Sequence, residues 1–87
     1  MFQKIKIALQ VHRIKRMEAL LDNVLASENK ENVKAELNTL FSYYFGKQWK
    51  QDFDADEKGL LPKDLKRGVL AEDTLYNLFT EFQDQMK

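Results

Sequence analysis

Few residues of this chain have the chemistry of a nucleophile or a general base. His12 is the only histidine, Ser27 and Ser42 are the only serines, and cysteine is absent. No glycine-rich phosphate loop, nucleophile elbow or HExxH pair occurs. A chain of 87 residues is also short for a concave pocket of substrate size. We therefore expect a protein that is not an enzyme and that has no catalytic, cofactor-binding or metal-binding residues.

The acidic segment that starts at Asp54 is a candidate calcium site. The string DADEKGLLPKDL matches an EF-hand loop in outline, with acids at positions 1 and 3 and glycine at position 6. However, Lys58 stands at position 5, where an oxygen ligand belongs, and Leu65 stands at position 12, where a bidentate glutamate closes the site. These two departures favour a solvated acidic turn, ended by Gly59, over a calcium site.

The N-terminal segment is locally basic, although the whole chain has a net charge of zero. Five cations precede the first acid, Glu18, and they are Lys4, Lys6, Arg13, Lys15 and Arg16. They could bind an anionic surface such as a phosphate backbone or membrane headgroups. On a helical wheel they spread widely, which is more typical of solvated charges. Binding of nucleic acid or of an anionic surface is therefore the alternative function, and it is the less favoured one.

A helix-turn-helix was considered near the C-terminus. Residues 62–67 (PKDLKR) read as a short helix with Gly68 in the left-handed position past its end, and residues 71–86 read as a longer helix. The longer helix would have to enter the major groove, yet it carries four acids and no basic residue before Lys87. Since recognition helices need donors for bases and no repulsion from phosphates, the charge argues against this motif.

The first element is predicted to be a helix over residues 2–27 with two apolar faces. One face holds Ile7, Val11, Ile14, Leu21 and Leu25, with Met17 and Val24 beside it. The second, nearly opposite face holds Phe2, Ile5, Leu9 and Leu20. A helix that is apolar on two sides usually lies between two packing partners. Residues 2–11 also alternate as a strand would, but no second strand is evident to pair with them.

An aromatic helix is predicted over residues 30–50, with Asn29 as its N-cap and with a stop or bend expected at Gly46. Its core stripe is formed by Val33, Leu37, Leu40, Phe41 and Tyr44. Tyr43 points away from that stripe and Trp49 lies at its edge. The favoured interpretation is that these rings cover the margin of the core, and the alternative is a contact with a partner. The region that follows, residues 47–61, reads as the most loop-like part of the chain.

These elements predict a single all-α domain over residues 1–87, a small bundle of three long helices and one short helix. No run of about 20 apolar residues is available for a membrane span, and no signal-like apolar segment is present. With the lack of cysteine, this composition favours the cytoplasm.

The function predicted from these observations is protein–protein binding, as in small regulators, inhibitors and immunity-type factors, with self-association as a homodimer also considered. The partner-binding candidates are Phe2, Ile5, Leu9, Leu20, Tyr43 and Trp49.

Overall fold

The structure, a computed structural model, describes residues 2–85, and it describes side chains at 4–71 and 73–83. Four α-helices follow one another, α1 (Phe2–Ala26), α2 (Lys34–Tyr44), α3 (Lys47–Glu57) and α4 (Glu72–Gln85). Two short 3-10 helices lie between them, at Lys30–Val33 and Gly68–Leu70. The described residues contain no strand, so the all-α prediction is confirmed and the strand alternative for residues 2–11 is wrong.

Helix α1 packs one face against α2 and against the second 3-10 helix. Its core residues Ile14, Met17, Leu21 and Val24 recur at helical spacing and are buried. Leu25 was expected on this face but is 60% exposed. Beyond Ala26 the helix stops, and the Nζ atom of Lys30 donates to two carbonyls near its end, those of Val24 (2.9 Å) and Ser27 (3.0 Å).

The single helix predicted over residues 30–50 is wrong, because the chain breaks it twice. Asn29 is indeed an N-cap, and its Oδ1 accepts from the N–H of Glu31, but it caps the first 3-10 helix. The second break falls at Gly46, which is extended and begins α3. A Cβ there would lie 2.9 Å from the carbonyl oxygen of Ser42, so a glycine suits this close approach of two helices.

Helix α3 occupies a region that was predicted to be a loop. Its inward face includes Asp52 and Ala55, both buried, and the half-buried rings Trp49 and Phe53. A count of apolar residues does not reveal this buried face, because Asp52, one of its central residues, carries a charge. The helix ends at Glu57, and Gly59 follows it with a φ of 70° that suits glycine. The N–H groups of Gly59 and Leu60 donate to the carbonyls of Asp56 and Ala55.

The short helix predicted at residues 62–67 does not form, and a loop occupies these residues. The guanidinium of Arg67 organises the loop by donating to the carbonyls of Pro62, Leu65 and Lys63, at 2.6, 2.6 and 3.2 Å. It also pairs with Asp56 of α3 at 2.6 Å. Gly68 opens the second 3-10 helix, and the positive φ expected for it is found at Gly59 instead.

Helix α4 confirms the prediction for residues 71–86 within the part that is described, while Met86 lies outside it. Leu75 and Leu78 are buried, and Phe79 and Phe82 pack on the core. The whole described chain is elongated, with extents of 47 × 18 × 17 Å. Among the described residues, no helix is long and apolar enough to cross a membrane.

Candidate binding surfaces

A polar cluster between α1, α2 and α3 contains two of the predicted binding residues, Arg13 and Tyr43. Arg13 binds Asp52 through two bonds, Nε to Oδ2 at 2.9 Å and Nη2 to Oδ1 at 2.5 Å. The hydroxyl of Tyr43 donates to Oδ2 of Asp52 at 2.7 Å. Tyr43 is only 4% exposed, so its assignment to a partner-binding surface is wrong. It is a core residue with a satisfied hydroxyl.

The same cluster shifts two pKa values. The hydrogen bond to Asp52 raises the pKa of Arg13, although its partial burial acts in the opposite direction. Burial, first of all, and then the hydrogen bond to Asp52 raise the pKa of Tyr43 well above its ordinary range. Arg13 is therefore a charged partner of Asp52 and is not a free cation for an anionic surface.

Trp49 has a structural contact at the end where a partner was expected. Its Nε1 donates to the carbonyl oxygen of Val69 at 2.7 Å, which ties α3 to the second 3-10 helix. The indole is half-buried and packs on the core. Its polar end is thus used within the fold.

The residues of the second apolar face of α1 differ in their exposure to solvent. Ile5 and Leu9 are 61% and 64% exposed. Leu20, which shares that face, is half-buried and packs on the core. The side chain of Phe2 lies outside the described side chains. Of the described members, only the two near the N-terminus of α1 lie open to solvent.

The remaining basic candidates are exposed. Lys4, Lys6, Lys15 and Arg16 are all at the surface, and none of them pairs with an acid among the described residues. His12 is exposed as well. Four of the five cations predicted for an anionic surface are therefore accessible.

A continuous series of aromatic rings, which the sequence did not reveal, runs across α4, α2 and α3. Neighbouring ring centroids lie 5.0–6.0 Å apart, and most pairs meet edge to face. In order the rings are Phe82, Phe41, Phe79, Phe45, Tyr44, Trp49 and Phe53. Phe45 is the most open of them at 61% exposed. The Tyr44–Trp49 contact depends on how α2 meets α3 across the break at Gly46, and the Phe45–Phe79 contact depends on how the end of α2 meets α4.

Neither the EF-hand-like calcium loop nor the helix-turn-helix forms in the described part of the chain. Asp54 and Asp56 lie on α3 rather than in a loop, and Asp56 pairs with Arg67. No group of three or more histidine or carboxylate side chains in the described part is arranged to hold a metal. Since residues 62–67 are not helical, the first helix of a helix-turn-helix is missing.

Comparison with known proteins gives one match. The family described as "Domain of unknown function (DUF4298)" matches residues 9–87, which is most of the chain. Neither a curated protein nor a solved structure matches it.

Proposed function

The chain belongs to the DUF4298 family, and from the geometry of its exposed surfaces we propose that it is a non-enzymatic, protein-binding module. The proposed binding element is the first part of α1, residues 2–9, which we term the N-terminal arm. Small helical regulators and inhibitors act in this way, although that is an argument from fold alone.

The observation that carries this proposal is the exposure of Ile5 and Leu9. They are four residues apart on α1 and therefore share one face. That face lies opposite the buried stripe of Ile14 and Leu21. Burying a side chain of this type is worth about 1.5–3 kcal/mol. The pair thus gives a partner a compact apolar contact of the kind used when a helix lies in a groove.

The charge around this pair indicates the chemistry of the partner. Lys4 and Lys6 are exposed on either side of Ile5, and Arg16 is exposed further along α1. Two arms placed face to face would bring these like charges together, which disfavours a homodimer through this surface. We propose instead a different protein whose groove is apolar at its centre and acidic at its rim.

The proposal is tested by capture on the immobilised full chain, compared between two matched variants. The first carries Ile5→Gln and Leu9→Gln. The second carries Leu25→Gln, which changes an equally exposed leucine at the other end of the same helix. We expect one stoichiometric protein that survives nuclease and high salt, is lost with the first variant and is retained by the second. Equal capture by both variants would contradict the proposal.

Self-association is measured in the same series by sedimentation of the purified chain. A dimer that dissociates on Ile5→Gln and Leu9→Gln would replace the proposed partner with a second copy. A monomer at all concentrations is the expected result.

A second candidate function, binding to an anionic surface, is supported by four exposed cations, Lys4, Lys6, Lys15 and Arg16, that form no ion pair with an acid in the described part of the chain. Phosphate contacts weaken steeply with salt because they release counterions. Charge reversal at Lys4 and Lys6 would abolish binding to anionic phosphatidylserine vesicles or to duplex DNA. Binding of this kind, lost at moderate salt and indifferent to Leu9→Gln, would favour this function over the protein partner.

A further inference from the structure

A groove of about 380 Å³ separates α1 from the loop that precedes the second 3-10 helix. Its size is within the range of small-molecule sites, which begins near 300 Å³. Its walls combine apolar side chains with both signs of charge. The residues of this lining that matter below are Val11, Lys15, Glu18, Asp22, Leu65 and Lys66.

Glu18 is the unusual member of this lining, because it is a charged residue that is only 5% exposed. Its Oε1 accepts the N–H of Val69 at 2.7 Å, which holds the second 3-10 helix against α1. Its Oε2 accepts no hydrogen bond from any described residue. The carboxylate of Glu18 therefore has one oxygen bonded within the fold, while the other is not enclosed by the protein and can accept a donor from the groove.

No cation of the described chain contacts this carboxylate. Lys66 is the nearest candidate, but its Nζ donates to Asp22 at 3.0 Å. The pKa of Lys66 is raised mainly by that hydrogen bond and by the charge of Asp22, with only a small contribution from Glu18. Lys15 is exposed and makes no ion pair with a described acid. Glu18 is only 5% exposed, so a positive charge bound at its unbonded oxygen would be less screened by water than a charge at an open surface.

We propose that this groove binds an organic cation, namely a primary ammonium group on an aliphatic stem. The ammonium group donates to Oε2 of Glu18, and the stem lies on Val11 and Leu65. Two sources share this chemistry, a free alkylamine and a lysine side chain of another polypeptide. The groove is lined by residues outside the N-terminal arm, so binding in the groove can be tested independently of the proposed function.

The binding test is a titration of the full chain, followed by amide chemical shifts in the NMR spectrum. The probes are n-pentylammonium, its neutral isostere 1-pentanol, and Nα-acetyl-lysine amide for the side-chain source. We expect saturable shifts at Val11, Glu18, Ala19 and Leu65 with n-pentylammonium and none with 1-pentanol. A response to the acetyl-lysine amide that is stronger than the response to the free amine would identify a polypeptide as the source.

Three variants locate the charge that is responsible. Glu18→Gln keeps an acceptor for the Val69 N–H but places a neutral group at Oε2, and we expect affinity about tenfold weaker, since hydrogen bonds to charged groups are the strong ones. Lys66→Gln removes a competing cation and should strengthen binding. Glu81→Gln, an equal charge change on the exposed surface of α4, should leave binding unchanged.

The two informative variants change the affinity in opposite directions, which a loss of folding cannot imitate. Thermal unfolding followed by circular dichroism verifies that each variant is folded. If Glu18→Gln does not fold, Lys66→Gln and the 1-pentanol comparison still decide the question. Absence of saturable binding, equal binding of 1-pentanol, or weaker binding by Lys66→Gln would each overturn the proposal.

Discussion

Two ion pairs of this protein join α1 to distant parts of the chain, and they differ in their burial. Asp52 is completely buried and Arg13 is 21% exposed, whereas Lys66 and Asp22 are 69% and 58% exposed. The buried pair has two hydrogen bonds and a third from Tyr43, while the exposed pair has one. Each links residues about forty positions apart, so separation in sequence does not distinguish them.

The difference shows that a salt bridge positions helices when its charges have no access to water. An exposed pair gains little, because water and salt screen it and because ordering two long side chains costs entropy. A buried pair fixes the geometry, since breaking it leaves an uncompensated charge in the interior. The Asp52 cluster therefore determines how α1, α2 and α3 meet, and we expect its removal to have the largest effect.

Asp52→Ala should lower the free energy of unfolding by about 3–5 kcal/mol, because Arg13 and the hydroxyl of Tyr43 both lose their partner in the interior. The measurement is urea denaturation at neutral pH. Asp54→Ala, two residues further along the same helix and exposed, is the matched control and should change stability little. Equal effects of the two substitutions would break the comparison between buried and exposed charges.

The ion pair between Arg67 and Asp56 is less buried than the Arg13–Asp52 pair and less exposed than the Lys66–Asp22 pair, so it tests an intermediate case. Arg67→Met keeps the aliphatic stem and removes the guanidinium. We expect a loss of about 1–3 kcal/mol, because the carbonyls of the loop lose their donors. Amide hydrogen exchange should increase at residues 60–67 before it does in the helices. Unchanged exchange in this loop would mean that the guanidinium does not organise it.

Tyr43→Phe should cost about 1 kcal/mol at neutral pH, since it removes one hydrogen bond to a carboxylate that keeps its bonds to Arg13. The pH dependence of the free energy of unfolding gives a second test of the role of Tyr43. The pKa of Tyr43 is higher in the folded state than in the unfolded state. The stability contributed by neutral Tyr43 is thus complete below about pH 10 and is lost as the pH rises further.

Alkaline unfolding of the parent should therefore be steeper above about pH 10 than that of Tyr43→Phe. Tyr76→Phe is the control, because Tyr76 is exposed. It should follow the parent curve. Identical slopes for the parent and Tyr43→Phe would show that Tyr43 ionises as freely in the folded chain as in the unfolded one.

Lys66→Gln should have the smallest effect on stability. Its partner Asp22 is also exposed, and we expect no resolvable change in the urea midpoint at moderate salt. The parent and the variant should respond to added sodium chloride in the same way. A clear destabilisation would show that burial is not what separates the two ion pairs.

Much of the helical core could be predicted from the sequence. The spacing of Ile14, Leu21, Leu37 and Leu40 indicates amphipathic helices directly, because helical periodicity is a local property. The stripe of α4 and the cap at Asn29 were identified for the same reason. The spacing also places Ile5 and Leu9 opposite the buried face, but their exposure depends on the tertiary structure, since Leu20 on the same face packs on the core.

The errors concern residues whose environment depends on other elements. Tyr43 falls off the stripe of its own helix, yet it is buried because α1 and α3 cover it. Asp52 reads as part of a solvated acidic loop until Arg13, thirty-nine residues away, supplies its charge partner. Helix α3 contains too few apolar residues for the sequence to predict its buried face.

The sequence alone determined that this protein is all-α, that its charges balance and that its N-terminal segment is both basic and apolar, because composition and local periodicity suffice for those properties. Only the tertiary structure decided which polar side chains are buried. It placed Asp52 between Arg13 and Tyr43, and it placed Glu18 beside a groove with one oxygen unused. Burial and charge pairing depend on groups brought together from distant parts of the chain, and no local pattern contains that information.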